Sequence, residues 1–370
     1  MRLFFRLAIG LAVLFGLIAY GYWSQQRPAT HYLSDLRVHL AVNQGVPGEK
    51  GNLLGIQPQL LANDFQNLDR LHRKLAAYLS QARSADLLNP RTVVVLPEHI
   101  GTWLMVAGEK PEVYEAPTFE EAMQWLAAGN PLGYLKAATE ARPALTADTQ
   151  LRLKAAQMAK DYQSVFGGLA KEFAITLVAG SIILPNPFIE GGQLHTREGA
   201  LFNISVVFGS DGQPIGQPQR QLSADASYQP WASSVAGSDI QTLDTPAGRL
   251  GVLIGRDSWN PANLRELEQR HAELLAVPAF IPEPNRWAVT PPSDAPQGAA
   301  NEGEAWRNSL TGRYAGAAIC VFSRGTLWDI GSDGHSFVTQ AGQTSKDTTA
   351  VAPLTQGRQH HTAALFNLWL

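Results

Sequence analysis

Cysteine is almost missing from this chain, which has one, Cys320, in 370 residues. A single cysteine excludes an intrachain disulfide and any zinc site built from several thiolates. Cys320 lies inside the apolar run of residues 317–322, where a small thiol is most simply a core residue. Neither His99 nor the pair His360-His361 has sequence neighbours that would complete a metal site, so no metal is expected.

Charge is scarce as well. Asp, Glu, Lys and Arg make up 16% of the residues, and the formal net charge is -3. A nucleic-acid-binding protein needs a basic surface, so this balance excludes that class of partner. The sequence also lacks internal repeats and a glycine-rich phosphate loop, and we expect no cofactor. With 45% hydrophobic residues, the composition is that of an ordinary globular protein.

An apolar stretch opens the chain. Arg2 and Arg6 precede the run of residues 7–23, which is near the minimum length for crossing a bilayer. We expect residues 1–23 to place the protein at the cell membrane in a single pass. The charges at the start predict a main domain on the periplasmic or extracellular side.

The end of this stretch supports two interpretations. Tyr20, Tyr22 and Trp23 form an aromatic belt of the kind found at membrane interfaces, which favours a retained signal anchor. Ala19-Tyr20-Gly21 is also a small-x-small pattern, so a cleaved signal peptide stays open. Both interpretations put the rest of the chain outside the cytoplasm.

The remaining sequence divides by composition. Residues 24–50 are polar and aperiodic, and we expect a stalk in which only residues 32–42 form a short helix. A domain follows at residues 51–341, with a helical insertion at about 105–158 over one of its faces. Residues 342–370 are expected to form a tail that is polar up to its last few residues.

Strand and helix patterns alternate through the domain. Residues 52–58 read as a strand, residues 65–82 have helical spacing, and residues 92–96 form a buried strand followed by Pro97-Glu98. This alternation predicts an α/β layer architecture. Glu98 is a site candidate because the carboxyl ends of strands face the ligand crevice in such folds; the alternative is an exposed loop carboxylate.

A second strand, turn and helix unit lies at residues 248–278. Its apolar run 250–254 predicts a buried strand, and Asn260-Pro261 is an N-cap followed by a first-turn proline. A sharp turn between strand and helix can raise one side chain above the sheet, next to the amide groups of the helix. The raised residue here is Gly255, which has no side chain.

These units resemble the nitrilase, or carbon-nitrogen hydrolase, superfamily. The resemblance rests on the order of Pro-Glu after a strand, Asn203 in a later strand, an Asp-Gly turn, a basic position and the turn Gly255-Arg256-Asp257. It implies a four-layer α-β-β-α sandwich, preceded here by one transmembrane helix. Glu98 would stand at the position of the family's general base.

Two other catalytic positions of that family are substituted. Gly255 stands at the position of the family's nucleophilic Cys, and its Lys aligns with Arg220 or Gln221, of which Arg220 is preferred. Amide cleavage of this kind needs a thiolate, a base and a cation near the oxyanion. We expect the chemistry to be lost, with Glu98 vestigial as a base.

Neighbouring residues are candidates for ligand binding, with Asn203 among them. Arg256 would bind an anion or pair with Glu98, or else be solvated surface; Trp259 would wall a pocket, or else be core. Ser258, near the helix start, is expected to bond backbone and not to act as a substitute nucleophile.

Three functions remain open at this point. The first is an inactive protein of this family that binds an unknown small molecule or protein partner, and we prefer it. The second is an active hydrolase of carbon-nitrogen bonds, of amidase or nitrilase type, or an acyl transferase. The third is an assembly subunit that uses the insertion as its contact surface. A homo-oligomer is compatible with each of them.

Overall fold

The computed structural model describes residues 1–26, 32–138, 146–223, 239–281, 288–332, 334–340, 343–344 and 362–370. The helices are α1 (Arg2–Ser24), α2 (Leu68–Ser84), α3 (Pro111–Glu115), α4 (Phe119–Gly129), α5 (Pro131–Ala138), α6 (Thr146–Tyr162), α7 (Gly168–Phe173), α8 (Pro261–Gln269) and α9 (Glu302–Leu310). A π-helical turn, Gln163–Gly167, joins α6 to α7, and tighter turns occupy Ala62–Phe65, Thr102–Val106 and Gly255–Trp259.

The strands are β1 (Val38–Gln44), β2 (Asn52–Gln57), β3 (Thr92–Val95), β4 (Thr176–Val178), β5 (Ile182–Pro185), β6 (Phe188–Glu190), β7 (Gln193–His195), β8 (Leu201–Ser205), β9 (Val207–Phe208), β10 (Gln219–Arg220), β11 (Thr242–Thr245), β12 (Gly248–Val252), β13 (Leu274–Ala279), β14 (Ala317–Phe322), β15 (Gly325–Leu327), β16 (Ile330–Ser332), β17 (Phe337–Gln340), β18 (Gln343–Thr344) and β19 (Ala363–Trp369).

Two six-stranded sheets form the centre of the fold. The first has the order β1-β19-β2-β3-β4-β9, and the second has the order β11-β12-β13-β14-β17-β18. Strands β2, β3 and β4 are parallel, as are β12, β13 and β14, because each pair is joined by a helical crossover. A smaller sheet, β10-β8-β5, lies beside them.

Apolar side chains hold the sheets and helices together in three clusters. One joins β2 to α2 and α6, a second joins β13 to α8 and α9, and the third unites strands of both six-stranded sheets. The sheets come close at Gly55, where an added Cβ would lie 2.8 Å from both Ile319 Cδ1 and Val321 Cγ2. The observed order of strands and helices, with two largely parallel central regions, confirms the predicted α/β fold.

The stretch predicted to be a stalk is packed on the domain where it is described. The expected short helix at residues 32–42 is wrong, because β1 (Val38–Gln44) is an edge strand paired in parallel with β19. Just before it, Tyr78 Oη donates to the carbonyl of Asp35 at 3.0 Å. The partner strand comes from the opposite end of the chain, so local sequence carried no sign of this pairing.

The end of the tail is also part of the sheet. Strand β19 is buried between β1 and β2, and its Asn367 is fully buried. Asn367 Nδ2 donates to Asn43 Oδ1 at 2.8 Å, and Asn52 Nδ2 donates to Asn367 Oδ1 at 2.5 Å. These amides tie the three strands together, so the domain extends beyond the expected boundaries 51 and 341. Residues 345–361 of the expected tail lie outside the described residues.

Helix α1 is long and apolar enough to cross a membrane. The segment Phe4–Ser24 has a mean hydropathy of 2.0 and its apolar window has no buried residue, while Gly21, Trp23 and Ser24 at its end are half-buried. A signal sequence near the N-terminus has the same length and composition, so this helix alone does not separate the two interpretations.

A buried ion pair lies at the start of α2. Lys74 Nζ is 2.7 Å from Asp64 Oδ2, and both side chains are almost fully buried. Asp64 also accepts from the Leu61 amide at 2.9 Å and from Ser34 Oγ at 2.6 Å. The carboxylate thus links the segment before β1 to the domain.

We expect Lys74→Met to lower the free energy of unfolding by about 3–5 kcal/mol, because it leaves the Asp64 charge buried without its partner. Urea unfolding in detergent solution measures the loss. Arg37→Met is the control, because its pair with Asp35 is largely exposed and is worth about 0–1 kcal/mol. Equal losses in the two variants would contradict the assignment.

Candidate functional site

Glu98 stands at the carboxyl end of the first sheet, three residues beyond β3 (Thr92–Val95), and its side chain is buried. Asn203 in β8 faces it, and Asn203 Nδ2 donates to Glu98 Oε1 at 2.9 Å. The same amide nitrogen lies 3.1 Å from Gln221 Oε1. A carboxylate and two amides therefore form one buried cluster, which we call the Glu98 cluster (Glu98, Asn203 and Gln221).

Gln221, the residue directly after β10, belongs to this cluster, and Arg220, the last residue of β10, does not. Gln221 Nε2 lies 3.5 Å from Glu98 Oε1 and 3.4 Å from the carbonyl of Ile254. Arg220 points elsewhere: its guanidinium stacks 4.4 Å from the Phe202 ring. Successive residues of an extended strand face opposite sides, so only one of the two reaches the cluster. Of the two residues considered for the family's lysine position, Gln221 contacts Glu98, and Arg220, which was preferred, packs on Phe202.

Gly255 lies directly against the Glu98 cluster. Its φ is +56°, in the left-handed region that favours glycine. An ideal Cβ on Gly255 would lie 2.9 Å from Glu98 Oε2 and 3.2 Å from Gln221 Nε2. The turn thus has the backbone geometry that aims a side chain at the carboxylate, but the side chain is absent. Glu98 and Gly255 thus meet although they follow strands of different sheets, β3 of the first and β12 of the second.

Asp257 fixes the turn to the neighbouring chain. Its carboxylate accepts from the Leu222 amide at 2.8 Å and from the Ser223 amide and hydroxyl at 2.9 and 2.7 Å. Burial raises the pKa of Asp257 to about 6, although these hydrogen bonds act in the opposite direction. Because Leu222 follows Gln221, the bonds hold Gln221 beside Gly255.

The hydroxyl of Ser258 is directed at backbone. Ser258 is fully buried, and its Oγ donates to the carbonyl of Gly255 at 3.1 Å. The residue that caps α8 is Asn260, whose side chain accepts from the Ala262 amide. Ser258 therefore bonds backbone as expected, but to Gly255 and not as the helix cap.

Arg256 and Trp259 pack towards α9. Arg256 Nη2 is 3.2 Å from Glu302 Oε1, and its guanidinium lies 4.7 Å from the Trp259 ring centre. Trp259 in turn meets Trp306 edge to face at 5.1 Å. The carboxylate that pairs with Arg256 here is that of Glu302, not that of Glu98, and Trp259 is a buried core aromatic.

His99 is a site residue that sequence reasoning missed. The sequence was searched only for a metal site at His99, but the residue is buried with Nε2 3.7 Å from Glu98 Oε1 and Nδ1 3.3 Å from Thr102 Oγ1. Burial lowers its pKa to about 3, so the ring is neutral at pH 7. Its position directly after Glu98 was the available signal. The ring meets Trp103 at 6.3 Å and Phe280 at 5.5 Å.

One polar atom of the cluster is left over. Asn203 Oδ1 is buried and has no hydrogen-bond partner within the described part of the chain. Leaving a buried acceptor unpaired costs about 1–3 kcal/mol, so such an atom marks a place where a donor binds. Among the described residues no group of three or more His, Cys, Asp and Glu side chains is arranged to hold a metal ion.

Known proteins place this geometry in context, although no protein-family model matches the chain. The amidase from Nesterenkonia AN1, solved as a Cys-to-Ser mutant and described as from the nitrilase superfamily, superposes with a TM-score of 0.51 at 13% identity over 88% of this chain and 93% of that one. A carbon-nitrogen hydrolase from Helicobacter pylori G27 gives 0.50 at 18% identity over 80% and 83%. The chain has the nitrilase-superfamily fold.

One relative found by sequence matches a short stretch of this chain. The probable hydrolase YhcX of Bacillus subtilis is 26% identical over 119 residues, which are 32% of this chain and 21% of that protein. Another structure of the Nesterenkonia amidase, at 14% identity and a TM-score of 0.50 over 88% of this chain and 93% of that one, carries a covalent addition at its active-site cysteine.

Gly255 has no side-chain atom that could act as a nucleophile, and the neutral amide of Gln221 lies beside it. Cys320 is no replacement: burial and the Glu98 charge raise its pKa well above the usual value, which favours the unreactive thiol. What remains is a buried carboxylate with amide groups, which can bind a ligand and accept a proton.

We expect Gly255→Ala to lower the free energy of unfolding by more than the roughly 1–2 kcal/mol of a left-handed backbone, because its Cβ also displaces Glu98 and Gln221. Gly108→Ala is the matched control, since Gly108 has φ +72° and no atom within 4 Å of an added Cβ. Urea unfolding compares them. Equal losses would mean that the Glu98 cluster does not crowd Gly255.

Asp257 predicts a pH dependence of stability. Its folded pKa of about 6 exceeds the ordinary 3.8, so between these values the folded protein holds a proton that the unfolded chain has lost. The stabilisation of the folded state by this proton is fully present below about pH 4 and is lost as the pH rises through 6. The loss is on the order of 3 kcal/mol.

The comparison with Asp257→Asn isolates this effect, since the titration of His99 is common to both proteins. We expect the wild type to lose stability relative to Asp257→Asn between pH 4 and pH 7. Asp244→Asn, at an exposed carboxylate, should show no such trend. A constant difference between wild type and Asp257→Asn would contradict the raised pKa.

Proposed function

We propose that this protein is a membrane-anchored, extracytoplasmic relative of the carbon-nitrogen hydrolases that binds a small ligand at the Glu98 cluster and does not cleave it through a covalent intermediate. The observation that carries this proposal is Gly255, whose backbone is set for a nucleophile that is absent. Loss of the nucleophile alone lowers turnover by orders of magnitude in comparable enzymes. The four-layer arrangement of the family is part of the same proposal.

The chemistry of the cluster favours a ligand with N–H donors. Glu98 supplies carboxylate oxygens, and Asn203 Oδ1 is an unused buried acceptor beside it. A primary amide or an ammonium group would donate to both. A site built to hydrogen-bond a donor also rejects an analogue that lacks it, because its buried acceptors are then left unpaired.

The proposed location rests on the charges at the start of α1. Arg2 and Arg6 lie in its first two turns, ahead of most of its apolar residues, and the positive end of such a segment tends to stay in the cytoplasm. The domain after α1 would then lie on the outer side. Protease digestion of intact spheroplasts tests this orientation.

The catalytic part is tested with the full-length protein in detergent. We expect no turnover of a panel of amides, nitriles and acyl donors, and no acylated protein by mass spectrometry, because no side chain at Gly255 can attack. The double variant Gly255→Cys with Gln221→Lys should acquire acylation, since it restores the thiolate and the oxyanion cation together. Each single change should do little.

Two controls make this test decisive. Adding Glu98→Gln to the double variant should abolish the acquired acylation, because the thiol then lacks its base. Turnover by the wild type that is lost in Glu98→Gln and retained in Cys320→Ala would contradict the proposal, and it would support an active hydrolase that uses water.

The binding part is tested with a matched pair of small ligands. Acetamide and methyl acetate share a carbonyl acceptor and differ by one non-hydrogen atom in size, but only the amide donates N–H bonds. We expect acetamide to raise the melting temperature and methyl acetate to have little effect, with the difference removed in Glu98→Gln. Equal behaviour of the two ligands would argue against an N–H donor site.

A further inference from the structure

The C-terminal end of α1 is held by the helical insertion. Tyr20 Oη donates to the carbonyl of Ala128 in α4 at 2.9 Å. One turn further along α1, Trp23 Nε1 donates to Glu112 Oε1 at 2.7 Å, and its ring meets that of Trp125 at 6.1 Å. The aromatic end of the candidate membrane span is thus a docked part of the domain.

These contacts give α4 a direction relative to α1. Tyr20 contacts Ala128, and Trp23, one turn later in α1, contacts Trp125, which comes earlier in α4. The two helices therefore run antiparallel. Since the apolar part of α1 precedes Tyr20, the C-terminal end of α4 points towards the bilayer. Glu120, near the other end of α4, lies about 12 Å further from it along the helix axis.

Helix α5 (Pro131–Ala138) begins at this bilayer-facing end. Only Asn130 separates it from α4. Leu132 is 80% exposed and Leu135 is 64% exposed, and their spacing of three residues puts them on one face of the helix. Gly133 and Tyr134, on the other side, are half-buried. Both leucine side chains are thus largely exposed on one face of α5 within the part of the chain that the structure describes.

We propose that α5 lies in the interface of the bilayer that α1 crosses, with Leu132 and Leu135 inserted at the boundary of the acyl chains. The inference rests on the proposed membrane anchor and adds a second contact with the lipid. The occupant is a lipid surface because the leucines are continuous with the aromatic end of the span, where Tyr and Trp side chains sit at the headgroup level.

This contact would fix the height of the ligand site above the membrane. Phe119, at the start of α4, meets Trp103 at 5.9 Å, and Trp103 meets the ring of His99 beside Glu98. From Phe119 to Ala128 the helix is about 14 Å long. Contacting side chains therefore connect the Glu98 cluster to the start of α4, and the length of α4, about 14 Å, separates that start from the end that faces the bilayer.

Site-directed fluorescence on the full-length protein tests the proposal. Single cysteines replace Leu132 or Leu135 and carry an environment-sensitive fluorophore; the native Cys320 is fully buried and stays unlabelled in the folded protein. Leu14→Cys in α1 is the positive control. Gln269→Cys is the aqueous control, because α8 packs in a different apolar cluster from α4 and α6. The vesicles contain phosphatidylethanolamine and phosphatidylglycerol.

We expect labels at positions 132 and 135 to be quenched by a lipid-attached quencher and shielded from aqueous iodide, as at 14, while the label at 269 shows the reverse. A lipid-exposed label at 14 with water-exposed labels at 132 and 135 would overturn this inference and leave the anchor intact. A water-exposed label at 14 would overturn the anchor and this inference with it. Shielding at 132 and 135 without lipid quenching would assign the surface to a second copy of the chain and also overturn the proposal.

Discussion

At Gly255 the chain leaves a buried strand with φ +56°, a conformation that residues with a side chain adopt at a cost. A Cβ added to Gly255 would lie 2.9 Å from Glu98 Oε2, so this turn sets the backbone close to the carboxylate. The bonds of Asp257 to the segment after Gln221 hold the turn in place. The turn therefore points the missing side chain of Gly255 at the carboxylate of Glu98.

The Glu98 cluster surrounds its carboxylate with neutral polar groups. Gly255, which has no side chain, and the amide of Gln221 lie against Glu98. Asn203 and Gln221 meet the carboxylate with hydrogen bonds. His99 beside it is kept neutral by burial. Within the described part of the chain the cluster also contains a buried acceptor without a hydrogen-bond partner, Asn203 Oδ1, on which the proposed ligand class rests.

The helical insertion connects this site to the start of the chain. Its helix α4 begins at the aromatic group next to His99 and ends at the residue bonded to Tyr20. Further along, Ser34 and Asp35 bond to side chains of the domain, and β1 joins the first sheet. Together with the contacts of Tyr20 and Trp23, these bonds limit how far the domain can turn relative to α1. The proposed lipid contact of α5 follows from that rigidity.

Local sequence determined the elements whose signals are short in range. The apolar run before Gly255, the Asn260-Pro261 helix start and the strand leading to Glu98 were all predictable, because hydrophobic periodicity and caps act over a few residues. The absence of a side chain at Gly255 was likewise plain from the sequence.

Only the tertiary structure decided which side chains meet. Strand β1 became part of a sheet because β19, from the far end of the chain, pairs with it, and no local pattern contains that partner. The choice of Gln221 over Arg220 depended on which face of one short strand turns towards Glu98. The partner of Arg256 is Glu302, brought close by a helix that begins far along the chain. These outcomes depend on packing between distant segments, and a one-residue change of register would have reversed them.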